Sequence, residues 1–71
     1  MDNVKRYRLF AGFSQVDLAK KTGISLGSYR AKEQGRVHFS DKEKLAIKSA
    51  ISKRIGEVSI DDIFFKPQVQ N

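Results

Sequence analysis

The residue types that carry enzymatic or metal chemistry are scarce in this chain of 71 residues. His38 is the only histidine and there is no cysteine, so no ligand set with metal-site spacing surrounds it. We interpret His38 as a surface loop residue. Asp61 and Asp62 are adjacent carboxylates, but they fall at the start of a predicted helix, where acidic side chains suit the helix dipole. The sequence predicts neither an enzyme nor a site for a metal, a cofactor or a small molecule.

Positive charge is the main compositional signal. Lys and Arg number 14 against 8 Asp and Glu, which gives a net charge of +6 and suits a polyanionic partner. No apolar run approaches the roughly 20 residues of a membrane span, and the N-terminal segment lacks the long apolar stretch of a secretory signal. We therefore expect a cytoplasmic protein that does not enter the membrane.

Residues 14–35 predict two short helices joined by a tight turn. Ser14 is a good N-cap, and Asp17 is placed to reach back to its backbone N–H. Gly23 ends that helix, and Ser25 then caps the second one. Gly35 supplies the left-handed residue after the second helix. The predicted ranges are about 15–22 and about 26–34.

Three further helices are predicted around this pair. Asp2 or Asn3 caps a first helix that runs to about Ala11, and a Ser40 capping box opens a fourth that runs to about Ile55. Ser59 caps a short fifth helix that ends at Phe64. The fold class is thus all-α, with five compact helices in one domain over residues 1–65, and residues 66–71 are predicted to form a disordered tail.

The motif residues resemble those of the XRE-type helix-turn-helix family, the class of the small Cro and repressor proteins of temperate phages. The resemblance runs from Val4 to Phe64, and it implies a lambda-repressor-like fold whose second motif helix lies in the major groove of double-stranded DNA. It also implies that Arg8 pairs with Glu33 as a structural ion pair. The residues that carry the resemblance are Ser14-Gln15, Leu18-Ala19, Gly23-Ile24-Ser25, and Glu33 with Gly35.

The same resemblance implies a DNA-facing set. Base edges would be read mainly by Leu26, Gly27 and Ala31, yet none of these side chains can make the hydrogen bonds of direct readout. The positions that contact the DNA backbone in the family keep polar residues, and the loop 36–39, which includes His38, is expected to run beside the phosphates. These backbone-contacting residues are Ser14, Gln15, Gln34 and Arg36. We therefore expect DNA association with poor sequence discrimination. The full predicted set is Ser14, Gln15, Ser25, Leu26, Gly27, Ser28, Arg30, Ala31, Gln34, Arg36 and His38.

Apolar side chains exceed what the inward positions of the family require. Five Phe and two Tyr are present, and exposed aromatic residues commonly anchor protein interfaces. Phe10 either faces solvent or folds back beside Phe13. Phe65 follows Phe64 directly, so one of these two is expected to be exposed. The predicted protein-partner set is Phe10, Val16, Leu26, Phe64 and Phe65.

With its length and its altered recognition helix, the chain is also similar to the modulator-of-repression antirepressors of temperate lactococcal phages. This similarity implies a regulator in the bacterial host cytoplasm that binds the phage's main repressor protein, blocks operator binding and favours the lytic cycle. A Cro-like repressor that reads its own operator is the alternative. An antitoxin-type module shares the fold, but the short tail offers little for toxin binding.

Overall fold

A computed structural model describes residues 2–65, which form five α-helices and, within that range, no β-strand. The helices are joined by short connections, and the fourth helix is the longest. The all-α, five-helix class predicted from the sequence is confirmed. The helix ranges are α1 Val4–Ala11, α2 Gln15–Thr22, α3 Leu26–Glu33, α4 Asp41–Ile55 and α5 Ile60–Phe64.

Serine caps begin four of the helices. In α2 the Ser14 Oγ accepts a hydrogen bond from the Asp17 N–H at 3.0 Å, and the Asp17 carboxylate accepts one from the Ser14 N–H at 2.9 Å. The same reciprocal box opens α4 at Ser40 and α5 at Ser59, while Ser25 caps α3 through its hydroxyl. Because each box satisfies backbone donors locally, these starts could be predicted without knowledge of the fold.

The N-terminus of α1 is tied to α5 instead of being capped by the Asn3 side chain. The Asn3 N–H donates to the Ile63 carbonyl at 2.8 Å, and its side-chain amide donates to the Asp62 carbonyl at 3.1 Å. The carboxylate of Asp2 accepts from the Val4 N–H at 3.3 Å. Asp2 is therefore the residue whose side chain bonds the helix start, and Asn3 joins α1 to α5.

The core lies where α4 packs against α1, α2 and α5. α2 packs against both α3 and α4, and α1 packs against α4 and α5. Tyr29, Phe39 and Phe64 form an aromatic row in the core, with successive ring centroids 5.7 and 5.6 Å apart. The apolar residues that complete the buried core are Val4, Ala11, Phe13, Leu18, Ala19, Ile47, Ala50, Ile51 and Ile63.

The chain turns out of α3 one residue earlier than predicted. Gln34 occupies the C-cap, and Gly35 follows with a left-handed φ of +87°. The Arg36 N–H bonds the Ala31 carbonyl at 3.0 Å, which closes the helix end in the way that a glycine at this position allows.

The predicted tail, residues 66–71, lies outside the described residues. None of the helices described here has the length and apolar character needed to cross a membrane.

Candidate nucleic-acid and protein interfaces

The Glu33 carboxylate is the polar centre of the motif. Its Oε2 accepts from Arg8 Nε at 2.8 Å and from the Tyr29 hydroxyl at 2.8 Å. Its Oε1 accepts from Gln15 Nε2 at 2.9 Å and from Arg8 Nη2 at 3.2 Å. Arg8 also donates from Nη1 to the Phe13 carbonyl at 3.0 Å. The Arg8–Glu33 pair expected from the family resemblance is present, and it joins α1, α2 and α3.

Burial and hydrogen bonding act in opposite directions on this carboxylate. Burial raises the pKa of Glu33, but hydrogen bonds from Arg8, Gln15 and Tyr29 outweigh it and place the pKa below its ordinary value. Burial raises the pKa of Tyr29, so its hydroxyl stays a donor. The hydrogen bond to Glu33 raises the pKa of Arg8. The pair is therefore ionised throughout the neutral range.

A relay extends from this centre to the surface. Gln15 donates its amide to Glu33 and accepts from Arg30 Nε at 3.1 Å through its carbonyl oxygen. The structure thus brings together two residues of the predicted DNA-facing set. Gln15 is half-buried and uses both ends of its side chain inside the protein, while Arg30 remains exposed. Neither contact was expected from the sequence, because they join residues on two helices.

The predicted base-reading positions carry little polar chemistry. Leu26 is partly buried and packs against the core, Gly27 is exposed without a side chain, and Ala31 is half-buried. Ser28 is exposed. The hydroxyl of Ser25 accepts from the Ser28 N–H at 3.1 Å, so it serves as the cap of α3.

Four of the predicted backbone-contacting residues lie on the surface. They occur at the start of α2 and in the segment that follows α3, where side chains can reach a phosphate without disturbing the core. The backbone N–H groups in the first turns of α2 and α3 also make these helix N-termini favourable places for an anion. These exposed residues are Ser14, Gln34, Arg36 and His38.

Lys32 makes a contact that sequence reasoning missed. Its Nζ lies 2.7 Å from Glu43 Oε1, and both side chains are largely buried. The hydrogen bond from Lys32 is the main reason that the pKa of Glu43 lies below its ordinary value. Glu43 also bonds the Ser40 N–H in the capping box at 3.0 Å. The ion pair therefore fixes the connection between α3 and α4, beside the predicted phosphate-contacting loop.

The apolar residues predicted to face a partner do not form one surface. Phe10 is 76% exposed and lines a groove of about 340 Å³ with Tyr7 and Ile55, so the solvent-facing alternative for Phe10 is confirmed. Asn3 also lines this groove, and its side-chain amide lies 3.4 Å from the carbonyl oxygen of Phe65.

Phe65 is the exposed member of the Phe64–Phe65 pair. Its exposed fraction is 58%, while that of Phe64 is 9%. Phe64 was placed in the partner set by its sequence, and that assignment is wrong because the ring packs edge-on against Phe39 in the core. Val16 is exposed at the start of α2, and Leu26 belongs to α3. We use the term aromatic surface for Tyr7 and Phe10, which line the groove, together with exposed Phe65, whose backbone carbonyl lies next to the groove residue Asn3.

The comparisons with protein-family models, with curated proteins and with solved structures found no match to this chain.

The buried ion pair predicts a large stability loss on removal of its negative charge. Glu33→Gln should lower the free energy of unfolding by about 3–5 kcal/mol, because the Arg8 guanidinium is left buried without a counter-charge. Glu57→Gln makes the same substitution in an exposed carboxylate, 3.5 Å from Lys48, and should cost less than about 1 kcal/mol. Urea unfolding monitored by circular dichroism measures both. Equal losses in the two variants would contradict the structural role given to Glu33.

The lowered pKa of Glu33 predicts a pH-dependent effect of the Tyr29 hydroxyl. A carboxylate whose pKa is lowered on folding contributes stability above its unfolded pKa, near 4.5, and loses it as pH falls through the folded pKa. Tyr29→Phe should cost about 1.5–3 kcal/mol at neutral pH, since the lost hydrogen bond goes to a charged group. The gap to the wild type should narrow below pH 4.5.

Tyr7→Phe is the matched control for this pH series. Tyr7 is half-buried, and its hydroxyl makes no hydrogen bond within residues 2–65, so its removal should produce no pH-dependent gap. Unfolding free energies of the three proteins from neutral pH downward provide the test. A Tyr29→Phe gap that stays constant into acid would rule out the link between the hydroxyl and the ionised Glu33.

Proposed function

We propose that this chain is a phage transcriptional regulator of the antirepressor type, which binds the phage's main repressor protein and prevents that repressor from occupying its operators. Lytic promoters would then open. Weak binding of the chain to double-stranded DNA assists by keeping it near operator sites. The action takes place in the cytoplasm of the bacterial host.

The observation that carries this proposal is the chemistry of the predicted DNA-facing positions of α3. Its predicted base-reading positions are Leu26, Gly27 and Ala31, which offer no hydrogen-bond donor or acceptor from a side chain. A repressor distinguishes its operator from the many other DNA sites in a genome by several hydrogen bonds between side chains and base edges, each worth about 1–3 kcal/mol. A domain with this helix is poorly equipped to find one operator unaided.

The exposed aromatic surface supports a protein partner. Phe10 presents most of its ring to solvent beside half-buried Tyr7, and Phe65 is exposed near the same groove. Aromatic side chains at the centre of an interface often contribute most of its binding free energy. Arg6 also lines the groove, and it adds a cation to an otherwise largely apolar contact. The repressor would present a complementary apolar and acidic surface there.

One observation favours the Cro-like alternative. Arg30 is exposed, and its Nε is held by the carbonyl oxygen of Gln15 at 3.1 Å. An arginine oriented in this way can direct its terminal nitrogens at guanine, the commonest specific contact in the major groove. Ser28 lies in the first turn of the same helix. Together these two residues are the polar readers that an autonomous repressor would use.

Selection of binding sites from a random pool of DNA duplexes at physiological salt separates the two functions. The antirepressor proposal expects salt-sensitive binding with no enriched sequence. Enrichment of a defined, palindromic site would overturn it in favour of the Cro-like repressor. In that case Arg30→Ala should reduce affinity for the enriched site by about 1–3 kcal/mol and relax the preference at one base pair, whereas a uniform loss on all sequences would assign Arg30 to phosphate.

The aromatic surface predicts where the repressor binds. Phe10→Ala and Phe65→Ala should each weaken capture of the phage's main repressor by about 2 kcal/mol or more, because each removes an exposed aromatic anchor. Isothermal titration calorimetry of each variant against the purified repressor gives the affinities.

Leu9→Ala is the matched control for the aromatic variants. Leu9 is 58% exposed on the same helix as Phe10, but it is aliphatic and lies outside the groove that Phe10 lines, so its removal should leave capture unchanged. Wild-type affinity in both phenylalanine variants would remove the aromatic-anchor argument. A loss in Leu9→Ala as large as in Phe10→Ala would show that the effect is not specific to the groove.

A further inference from the structure

A second groove, between α2 and α4, is lined by cations and small side chains. Its volume is about 380 Å³, and no carboxylate is among its lining residues. This α2–α4 groove is separate from the aromatic surface on α1, and none of its lining residues belongs to the predicted DNA-facing set. The lining residues are Phe13, Lys21, Ala46, Ser49, Ala50, Lys53 and Arg54.

Two of these cations share one aromatic ring. The Arg54 guanidinium carbon lies 4.1 Å from the centroid of the Phe13 ring, and Lys21 Nζ lies 5.8 Å from the same centroid. The backbone fixes the first of them, because Arg54 Nη1 donates to the Ala11 carbonyl at 3.0 Å. Cation–π attraction thus holds two like charges close together at the end of the groove.

These cations form no ion pair within the described part of the chain. The ion pairs found among residues 2–65 are Arg8–Glu33, Lys32–Glu43 and Lys48–Glu57, and none includes a cation of the groove. The Ser14 N–H, which bonds the Asp17 carboxylate at 2.9 Å, is the main cause of the lowered pKa of Asp17, and the charge of Arg54 adds to it, but Asp17 forms no ion pair with Arg54 among residues 2–65. A bound anion would relieve the mutual repulsion of the cations.

We propose that the α2–α4 groove binds the phosphates of a nucleic-acid backbone. Lys21 and Arg54 contact phosphates at one end, Lys53 extends the positive charge along α4, and exposed Ser49 offers a hydroxyl donor. Ala46 and Ala50 keep side-chain bulk low beneath them. The proposal rests on the weak DNA binding proposed above. It adds a second contact surface, made of residues that do not belong to the predicted DNA-facing set.

The position of Phe13 places the groove beside the predicted DNA-facing residues at the start of α2. Phe13 immediately precedes Ser14, the predicted phosphate contact at the start of α2. Arg54 also lies close enough to Asp17, in the first turn of α2, to add to the lowering of that carboxyl group's pKa by Ser14, so a phosphate at the α2 N-terminus lies near the cations around Phe13. The groove lacks an exposed aromatic anchor, since the Phe13 ring is buried beneath Arg54. Charge without an apolar anchor suits a phosphate backbone better than an acidic protein segment.

The salt dependence of DNA binding tests the groove. The logarithm of the affinity for duplex DNA falls with the logarithm of salt concentration by a slope of about 0.9 for each phosphate neutralised. Lys21→Gln and Lys53→Gln should each reduce this slope by about 0.9, and the double variant by about twice as much. The measurement is fluorescence anisotropy of a short labelled duplex of arbitrary sequence, titrated with the full chain across a series of NaCl concentrations.

Lys5→Gln is the matched control, since Lys5 is an exposed lysine on α1 outside the groove and should leave the slope unchanged. Circular dichroism melting should confirm that every variant folds, and Arg54 is left intact because it bonds the backbone. A wild-type slope in the double variant, or an equal reduction in Lys5→Gln, would overturn the proposal, as would a wild-type chain that fails to bind the duplex.

Two further experiments distinguish phosphate binding in the groove from an acidic protein ligand and from DNA binding by α3 alone. Competition with polyglutamate tests an acidic protein ligand: if the groove variants lose polyglutamate binding but keep duplex binding, the nucleic-acid assignment is wrong. Arg30→Ala tests DNA binding by α3. A reduced duplex affinity in Arg30→Ala with a wild-type slope in both lysine variants would reject the groove while leaving the proposed weak DNA binding in place. Repressor capture is measured separately and decides the antirepressor function.

Discussion

The buried carboxylate of Glu33 is the constraint on which the arrangement of the first three helices depends. An ionised group in the core must have its charge balanced and its lone pairs bonded, or it destabilises the fold by several kcal/mol. Arg8 provides the charge, and Gln15 and Tyr29 provide further donors. Since these donors come from α1, α2 and α3, the bonds can all form in only one relative placement of the three helices. The pair thus specifies geometry even if its net contribution to stability is small.

The same network reduces what the predicted DNA-facing surface can do. Gln15 uses its amide for Glu33 and its carbonyl oxygen for Arg30, so a side chain that could serve DNA instead connects the core to the surface. Arg30 in turn uses its Nε for this bond. With Leu26 packed on the core and Gly27 without a side chain, the surface of α3 combines a well-ordered scaffold with few groups that distinguish one base pair from another.

The aromatic surface and the cation-rich α2–α4 groove occupy different parts of this small protein. The aromatic surface of Tyr7, Phe10 and Phe65 lies along α1 and near the end of α5, whereas the cations of the α2–α4 groove surround Phe13. Such a division allows a protein and a polyanion to be held at the same time, because neither ligand needs the contacts of the other. This arrangement accords with a regulator that acts on a DNA-binding protein close to DNA.

The sequence by itself determined the five helices, the starts of four of them and the ends of α1 and α2, because serine caps and left-handed glycines act over a few neighbouring residues. It also led, through the family resemblance, to the Arg8–Glu33 pair. Only the tertiary structure decided which way Phe10, Phe64 and Phe65 face, and it alone revealed the Lys32–Glu43 pair and the α2–α4 groove. These features depend on how residues distant in the chain meet when the helices pack, and local patterns of residue type carry no information about that meeting.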